Sequence, residues 1–248
     1  MSLKLGRVLI LIVSTFCLTT ASSQSKDIVY LDEGYQKISK YEFDRKSNSK
    51  LYYALQYDLD TIIFKRVFLK YYMGHLDATD KNQLFALLKH RNGVDTSKTI
   101  FVHYKDTLPS IDSFPEKDSI VYFKNGKHRH IVSHKTFVNG HRNCEQSGST
   151  KKIGIYHFFN FNAGHPIQID KVKWHQDHHS LLRKLFYNKS DNNRNWTLLI
   201  HPNGDFVINN GASYSSKVWR DLKKHKNWDT HLKDFTRRFR SLNSYSGK

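Results

Sequence analysis

The clearest hydrophobic pattern in the chain is an alternation of apolar and polar positions over residues 51–59, which predicts a half-buried β-strand. The apolar stretch at residues 61–72 suits either strand or helix, and we interpret it as strands. Residues 27–50 are polar with scattered tyrosines, so we expect an irregular segment there. Dense apolar and aromatic composition predicts further strands at residues 99–104, 119–123, 152–160, 196–200 and 206–208.

Helices are predicted where apolar residues recur at spacings of three and four after a capping residue. Asp77 or Thr79 can cap a helix that Gly93 ends, and Ser133 opens a second helix. A third helix is predicted from about residue 174 to 187, with tryptophan, histidine and leucine on its buried side. Two amphipathic helices finish the chain.

Two tight turns predict hairpins, at residues 124–127 (Lys-Asn-Gly-Lys) and 202–205 (Pro-Asn-Gly-Asp). From residue 99 onward the predicted order is strand, helix, strand, helix, strand, strand, helix. This order, together with the second hairpin at residues 197–208, resembles that of thioredoxin-like folds over residues 99–227, about half of the chain. The resemblance implies an α/β fold whose mixed sheet is flanked by helices. Another α/β sandwich with a mixed sheet is the alternative.

The chain differs from that family at the positions that carry the family's redox chemistry. Thioredoxin-like oxidoreductases carry a reactive cysteine where the first strand enters its helix, because the helix amino terminus lowers the thiol pKa. We place that junction at residues 104–107, which hold no cysteine, and Asn195-Trp196 stands where the family has a cis-proline. The resemblance therefore implies a redox-inactive scaffold.

The amino terminus has the layout of a secretory signal peptide. Lys4 and Arg7 precede an apolar run at residues 8–13, and small residues follow up to a cleavage site after Ala21 or Ser23. The apolar run is short for an uncleaved anchor, so we expect export to the periplasm or beyond the cell. The predicted division is a signal peptide at 1–21, an N-terminal β-rich and α accessory module at 27–95, a thioredoxin-like domain at 96–228 and a basic helical tail at 229–248.

Removal of that signal peptide would leave Cys144 as the single cysteine, so no intramolecular disulfide is expected and packing must hold the fold. Cys144 follows His141 by three positions on a predicted helix face. That spacing favours a small core residue, with a nucleophile as the alternative.

A formal net charge of +18 makes polyanions expected partners, including nucleic acid, lipid headgroups and acidic polysaccharides. The alternative is a soluble domain kept monodisperse by its charge. Basic residues cluster around the start of the second helix and along the last two helices, where an anionic membrane surface is a further possible partner. Solvated basic faces are the alternative at both places. The candidate anion-binding residues are Arg129, His130, Arg142, Lys223, Lys224, Arg237 and Arg238.

The 15 histidines suggest a metal site, because imidazoles at helical spacing can share a face. The candidates are His165, His175, His178 and His179, although ordinary surface or half-buried histidines are the favoured interpretation. Phosphate-loop, dinucleotide and serine-hydrolase motifs do not occur, so no cofactor is expected. We expect a non-catalytic binding or envelope-associated protein. The alternatives are a histidine-based metal-dependent hydrolase and a polyanion-binding protein that uses the C-terminal helices.

Overall fold

The computed structural model describes residues 26–123, 126, 128–187, 195–210 and 216–243. The predicted signal peptide, and Lys124, Asn125 and Lys127 of the first hairpin turn, lie outside the described residues. In chain order the elements are β1 (Asp27–Leu31), α1 (Lys40–Ser47), β2 (Tyr52–Asp58), β3 (Ile62–Leu69), β4 (Tyr71–His75), α2 (Ala78–Asn92), β5 (Thr99–Leu108), β6 (Ser119–Tyr122), β7 (His128–Ile131), α3 (His134–Gly148), β8 (Ile153–Asn162), β9 (Gln168–Ile169), β10 (Val172–Gln176), β11 (Asn195–Ile200), β12 (Asp205–Asn209), α4 (Ser216–Lys223) and α5 (Trp228–Asn243).

A seven-stranded mixed sheet with the order β4-β12-β11-β5-β8-β10-β9 forms the centre of the fold. Its strands β5, β8 and β10 are mutually parallel, whereas the neighbouring pairs β4/β12, β12/β11 and β11/β5 are antiparallel. A three-stranded sheet, β1-β3-β2, and a separate β6–β7 ribbon complete the strands described. The predicted α/β class, with mixed sheets flanked by helices, is confirmed.

Two apolar cores cover the two faces of the large sheet. Because successive residues of a strand point to opposite faces, Ile100 packs with Leu84 of α2, whereas Phe101 packs with Leu222 of α4 and Phe235 of α5. A smaller core around Trp174 and Val138 lies between β10 and α3.

These cores extend across the predicted domain boundaries. Leu84, before the boundary at 95, shares a core with Ile100 after it, and β4 pairs with β12 in one sheet. Beyond the boundary at 228, Phe235 of the predicted tail shares a core with Phe43 and Tyr52. The three predicted segments are therefore packed together through common apolar clusters.

The local signals for helix ends are confirmed. The Asp77 carboxylate accepts a hydrogen bond from the Asp80 N–H and caps α2, which Gly93 ends in the left-handed region at φ 68°. The Ser133 hydroxyl accepts from the Thr136 N–H and caps α3. These features depend on only a few neighbouring residues, which is why a sequence pattern can predict them.

Three local predictions are wrong. Residues 27–50 are not irregular, since they contain β1 and α1, and the Ser39 and Glu42 pair forms a capping box at the start of α1. Residues 104–107 are not a strand-to-helix junction, because β5 continues to Leu108 and the following α-helix begins after Ser133. The start of this helix at Ser133 also holds no cysteine.

The third error concerns the helix predicted at residues 174–187. Val172–Gln176 is a strand with Val172 and Trp174 buried, followed by a 3-10 turn at His178–Ser180 and a π-helical turn at Arg183–Tyr187. The backbone has positive φ at His179 and Ser180, and such a conformation interrupts a helix.

Candidate anion-binding site

A cavity of about 550 Å³ opens at the end of the large sheet where β5 and β8 begin. Thr99 and Ile153 begin these two strands, the segment between α3 and β8 supplies one wall, and the end of α4 supplies the other. We call this site the lysine cavity. Its lining residues are Thr99, Thr150, Lys151, Lys152, Ile153, Lys223 and Lys224.

The charge of this lining is uncompensated. Among the described residues none of its four lysines forms an ion pair, and no acidic residue lines the cavity. A few described lysines elsewhere are paired, as in Lys46 with Glu33 at 2.7 Å and Lys98 with Asp95 at 3.2 Å, but most are not, so the convergence of four lysines on one concave space distinguishes the cavity. Four unpaired ammonium groups around one concave space are suited to an anionic ligand.

The carboxyl termini of two helices offset part of this positive charge. Lys223 is the last residue of α4, and Lys151 and Lys152 follow the carboxyl end of α3. A helix carboxyl terminus carries about −0.5 of an elementary charge. Two such termini cannot balance four ammonium groups, so positive potential remains in the cavity.

Lys223 is held in place by two aromatic rings. Its Nζ lies 4.8 Å from the centroid of the Phe101 ring and 5.9 Å from that of Trp219, within the range of cation–π attraction. Both rings belong to the core on this face of the sheet. The core therefore fixes one cation at the cavity wall.

A buried polar network continues from the floor of the cavity. The Thr99 Oγ1 lies 3.0 Å from Nδ1 of His201, which is 2% exposed and whose Nε2 has no hydrogen-bond partner among the described residues. Burial, followed by the nearby His225, lowers the pKa of His201 to about 4. His201 is thus an uncharged group beneath a positively charged rim.

Asp205 anchors the outer part of this network. It accepts hydrogen bonds from Nδ1 of His75 at 2.9 Å, from Nε2 of His225 at 2.7 Å and from the amide of Asn203 at 2.7 Å. Burial opposes ionisation of Asp205, but these hydrogen bonds outweigh it and hold its pKa below the ordinary value. The carboxylate therefore positions the turn next to α4.

A second group of titratable side chains, which we call the imidazole cluster, lies between β5, β8 and α3. His103 and His157 are register partners on adjacent strands, and their rings stack at 5.2 Å. His141 Nδ1 is 3.1 Å from His157 Nδ1, and Cys144 Sγ is 3.1 Å from His103 Nε2. The cluster is His103, His141, Cys144 and His157.

Burial keeps the imidazole cluster uncharged. It lowers the pKa of His103 to about 4, that of His141 to about 2 and that of His157 to about 3. It also raises the pKa of the Cys144 thiol, an effect that Lys223 only partly opposes. A protonated thiol beside a neutral imidazole is a weak nucleophile, so this pair has the contacts of a Cys-His dyad without its activation.

The structure does not bring the predicted metal ligands together. His165 packs against Trp174 and lies 3.1 Å from His134, whereas His175 stacks on Phe158 at the opposite face of the sheet. His178 and His179 lie in the 3-10 turn instead of on a helix. Within the described part of the chain, no group of three or more His, Cys, Asp or Glu side chains is arranged to hold a metal ion.

The predicted anion-binding residues are dispersed. Arg237 and Arg238 both pair with the single carboxylate of Asp234, at 2.8 and 2.7 Å, which offsets about half of their charge within α5. Arg142 lies 3.7 Å from Asp170, and both line a separate pocket of about 250 Å³. Arg129 and His130 are exposed on β7. Only Lys223 and Lys224 lie in the lysine cavity.

Thr99, Thr150, Lys151 and Lys152 were not among the sequence candidates. The available signal was the Lys151-Lys152 pair directly before a predicted strand, but a strand start does not show which other charges it meets. The parallel pairing of β5 with β8 brings these residues to one end of the sheet.

Comparison with family models, with curated proteins and with solved structures finds no match for this chain. Among the described residues, the helices are all too short or too polar to cross a membrane. The fold and the cavity thus define the class as an α/β protein with a lysine-lined pocket.

Proposed function

We propose that this chain is an exported, redox-inactive, thioredoxin-like protein that binds a ligand carrying phosphate or sulfate groups. The observation that carries the proposal is the lysine cavity, with four ammonium groups that have no ion-pair partner among the described residues. The ligand occupies this space and replaces the missing counter-charges.

The strand arrangement supports the thioredoxin-like part of the proposal. The order β8-β5-β11-β12 contains one parallel pair and two antiparallel pairs, and α3 connects β5 to β8. The hairpin between β11 and β12 forms at the Asn203-Gly204 turn, with Gly204 at φ 101°. The strand-to-helix junction at Ser133 has no cysteine, in keeping with a scaffold that has no dithiol chemistry.

The size and chemistry of the lysine cavity support an organic polyanion over a single small ion. Ligand pockets typically measure about 300–1,000 Å³, and the cavity falls inside that range. Lysine ammonium groups recognise anions as point charges, whatever the shape of the anion. The Thr99 and Thr150 hydroxyls add hydrogen-bonding groups between them.

Titration calorimetry with inorganic pyrophosphate and with a heparin oligosaccharide tests this proposal on the mature chain. The triple variant Lys151→Gln, Lys152→Gln and Lys224→Gln should weaken binding about tenfold or more, since it removes three charge-assisted contacts. A matched triple, Lys37→Gln, Lys89→Gln and Lys233→Gln, removes the same charge from exposed positions outside the cavity and should leave binding nearly unchanged.

Two outcomes would overturn the proposal. If both triple variants weaken binding equally, the protein attracts anions only through its net charge and has no defined site. If neither probe binds the unaltered chain at low salt, the cavity has another role. Arg237→Gln combined with Arg238→Gln tests the C-terminal helices, and we expect little effect because neither residue lines the lysine cavity.

A further inference from the structure

The β6–β7 ribbon, comprising residues 119–123 and 128–132, exposes more apolar surface than any role in the core explains. Its two strands pair with each other and with no third strand among the described residues. Four consecutive large apolar side chains are exposed: Ile120 at 44%, Val121 at 41%, Tyr122 at 74% and Phe123 at 50%. Contiguous apolar patches of this kind mark interaction sites.

The patch occupies both faces of the ribbon. Alternation along the extended strand places Ile120 and Tyr122 on one face and Val121 on the other. A flat protein surface would cover one face and leave the opposite face in water. A lipid phase surrounds an inserted ribbon and covers both faces at once.

The charge of the ribbon fits an anionic surface. The partner strand β7 presents His128, Arg129 and His130, all of them exposed. No acidic residue occurs between Ser119 and Val132, and the chain as a whole has a formal charge of +18. Basic residues beside exposed aromatic and aliphatic side chains are the combination that binds membranes with anionic headgroups.

The aromatic residue at the most exposed position supports the same partner. Tyr122 has an apolar ring and a polar hydroxyl, and such side chains are enriched where hydrocarbon meets headgroups. Its register partner His128 lies across the ribbon, with ring centroids 5.9 Å apart. The ribbon thus combines an insertion surface with an adjacent cation, Arg129.

We propose that the β6–β7 ribbon inserts into the interface of a membrane rich in anionic lipids and attaches the protein to it. The lysine cavity is formed by different residues and the proposal does not depend on its ligand. Attachment needs the apolar side chains of the ribbon, with Arg129 and the overall charge supplying attraction.

Co-sedimentation with phosphatidylcholine vesicles that contain phosphatidylglycerol tests the proposal. The variant Ile120→Ser, Tyr122→Ser and Phe123→Ser should reduce vesicle binding about tenfold or more, because the inserted apolar surface is lost while the charge stays. The matched control replaces three other exposed apolar residues at or beside β2, Leu55→Ser, Tyr57→Ser and Leu59→Ser, and should bind as the unaltered chain does.

A fluorescence measurement separates insertion from surface adhesion. In Tyr122→Trp, the emission of the added tryptophan should shift to the blue when anionic vesicles are added, and brominated lipid should quench it. The unaltered chain, with its four native tryptophans, is the reference for both changes. The absence of both effects would overturn the proposal. Equal loss of vesicle binding in the ribbon variant and in the β2 control would also overturn it, as would a loss seen only when the cavity lysines are replaced. The same holds if the ribbon variant loses self-association but still binds vesicles.

Discussion

The lysine cavity and the imidazole cluster both involve strands β5 and β8, but the cavity carries charged side chains whereas the cluster is uncharged. In the cluster, His103 and His157 are uncharged and contact Cys144 and His141 of α3. In the cavity, Lys224 is exposed and has no ion-pair partner among the described residues. Perturbed pKa values occur at structural as well as functional sites. Unpaired charge around an open space is therefore the better indication of a ligand site in this molecule.

Acidification should give the largest effect, and it acts on the imidazole cluster. The pKa of His157 is about 3 in the fold, against an ordinary value of 6.5, because burial disfavours the imidazolium ion. The unfolded chain therefore takes up a proton that the folded chain does not. Stability is complete above about pH 6.5 and is lost as the pH falls from that value towards 3. At about pH 5, His157 alone lowers the free energy of unfolding by roughly 2 kcal/mol, and His103 and His141 act in the same direction.

Urea unfolding across the range from about pH 7.5 to 4.5 measures this loss. His157→Leu removes the proton-binding group and should flatten the dependence on pH, whereas replacement of the exposed His90 by Gln should not. The same slope in His157→Leu and in the unaltered chain would mean that the cluster does not govern acid stability.

The fold was predictable where a few adjacent residues decide the structure. Capping by Asp77 and Ser133 and the turn at Gly204 need only local contacts. The predicted helix at 174–187 failed because distant contacts override its apolar spacing. Asp177 accepts hydrogen bonds from the Tyr104 hydroxyl of β5 and from the Leu182 N–H. These bonds fix the point at which the strand ends and the 3-10 turn begins.

The candidate site was predictable only in part, for a related reason. Clustered basic residues in the sequence pointed to Lys223 and Lys224, and both line the cavity. Lys151 and Lys152 join them only because β8 pairs in parallel with β5, which sequence spacing does not encode. Sequence also could not place Cys144 next to His103, since 41 positions separate them.

A smaller effect is expected at Cys144, which tests whether the imidazole cluster is structural. Burial raises the pKa of its thiol, so iodoacetamide should alkylate it about tenfold more slowly in the folded chain than in urea at the same pH. Mass spectrometry follows the reaction, and Cys144→Ala should cost about 1 kcal/mol of stability while leaving pyrophosphate binding intact. Equally fast alkylation in both states would indicate a reactive thiolate and would return the nucleophile hypothesis to consideration.

The smallest effect on stability is expected at Lys224, where the contrast with the imidazole cluster is sharpest. Its side chain is exposed and has no described ion pair, so Lys224→Gln should change the free energy of unfolding by less than about 0.5 kcal/mol. The same change should weaken pyrophosphate binding about threefold at low salt, and Lys224→Arg should retain binding because the charge remains. Urea unfolding and calorimetry on the same samples measure both quantities. A stability loss above about 1 kcal/mol with unchanged binding would make Lys224 a structural residue like His157, and the two regions would no longer differ in kind.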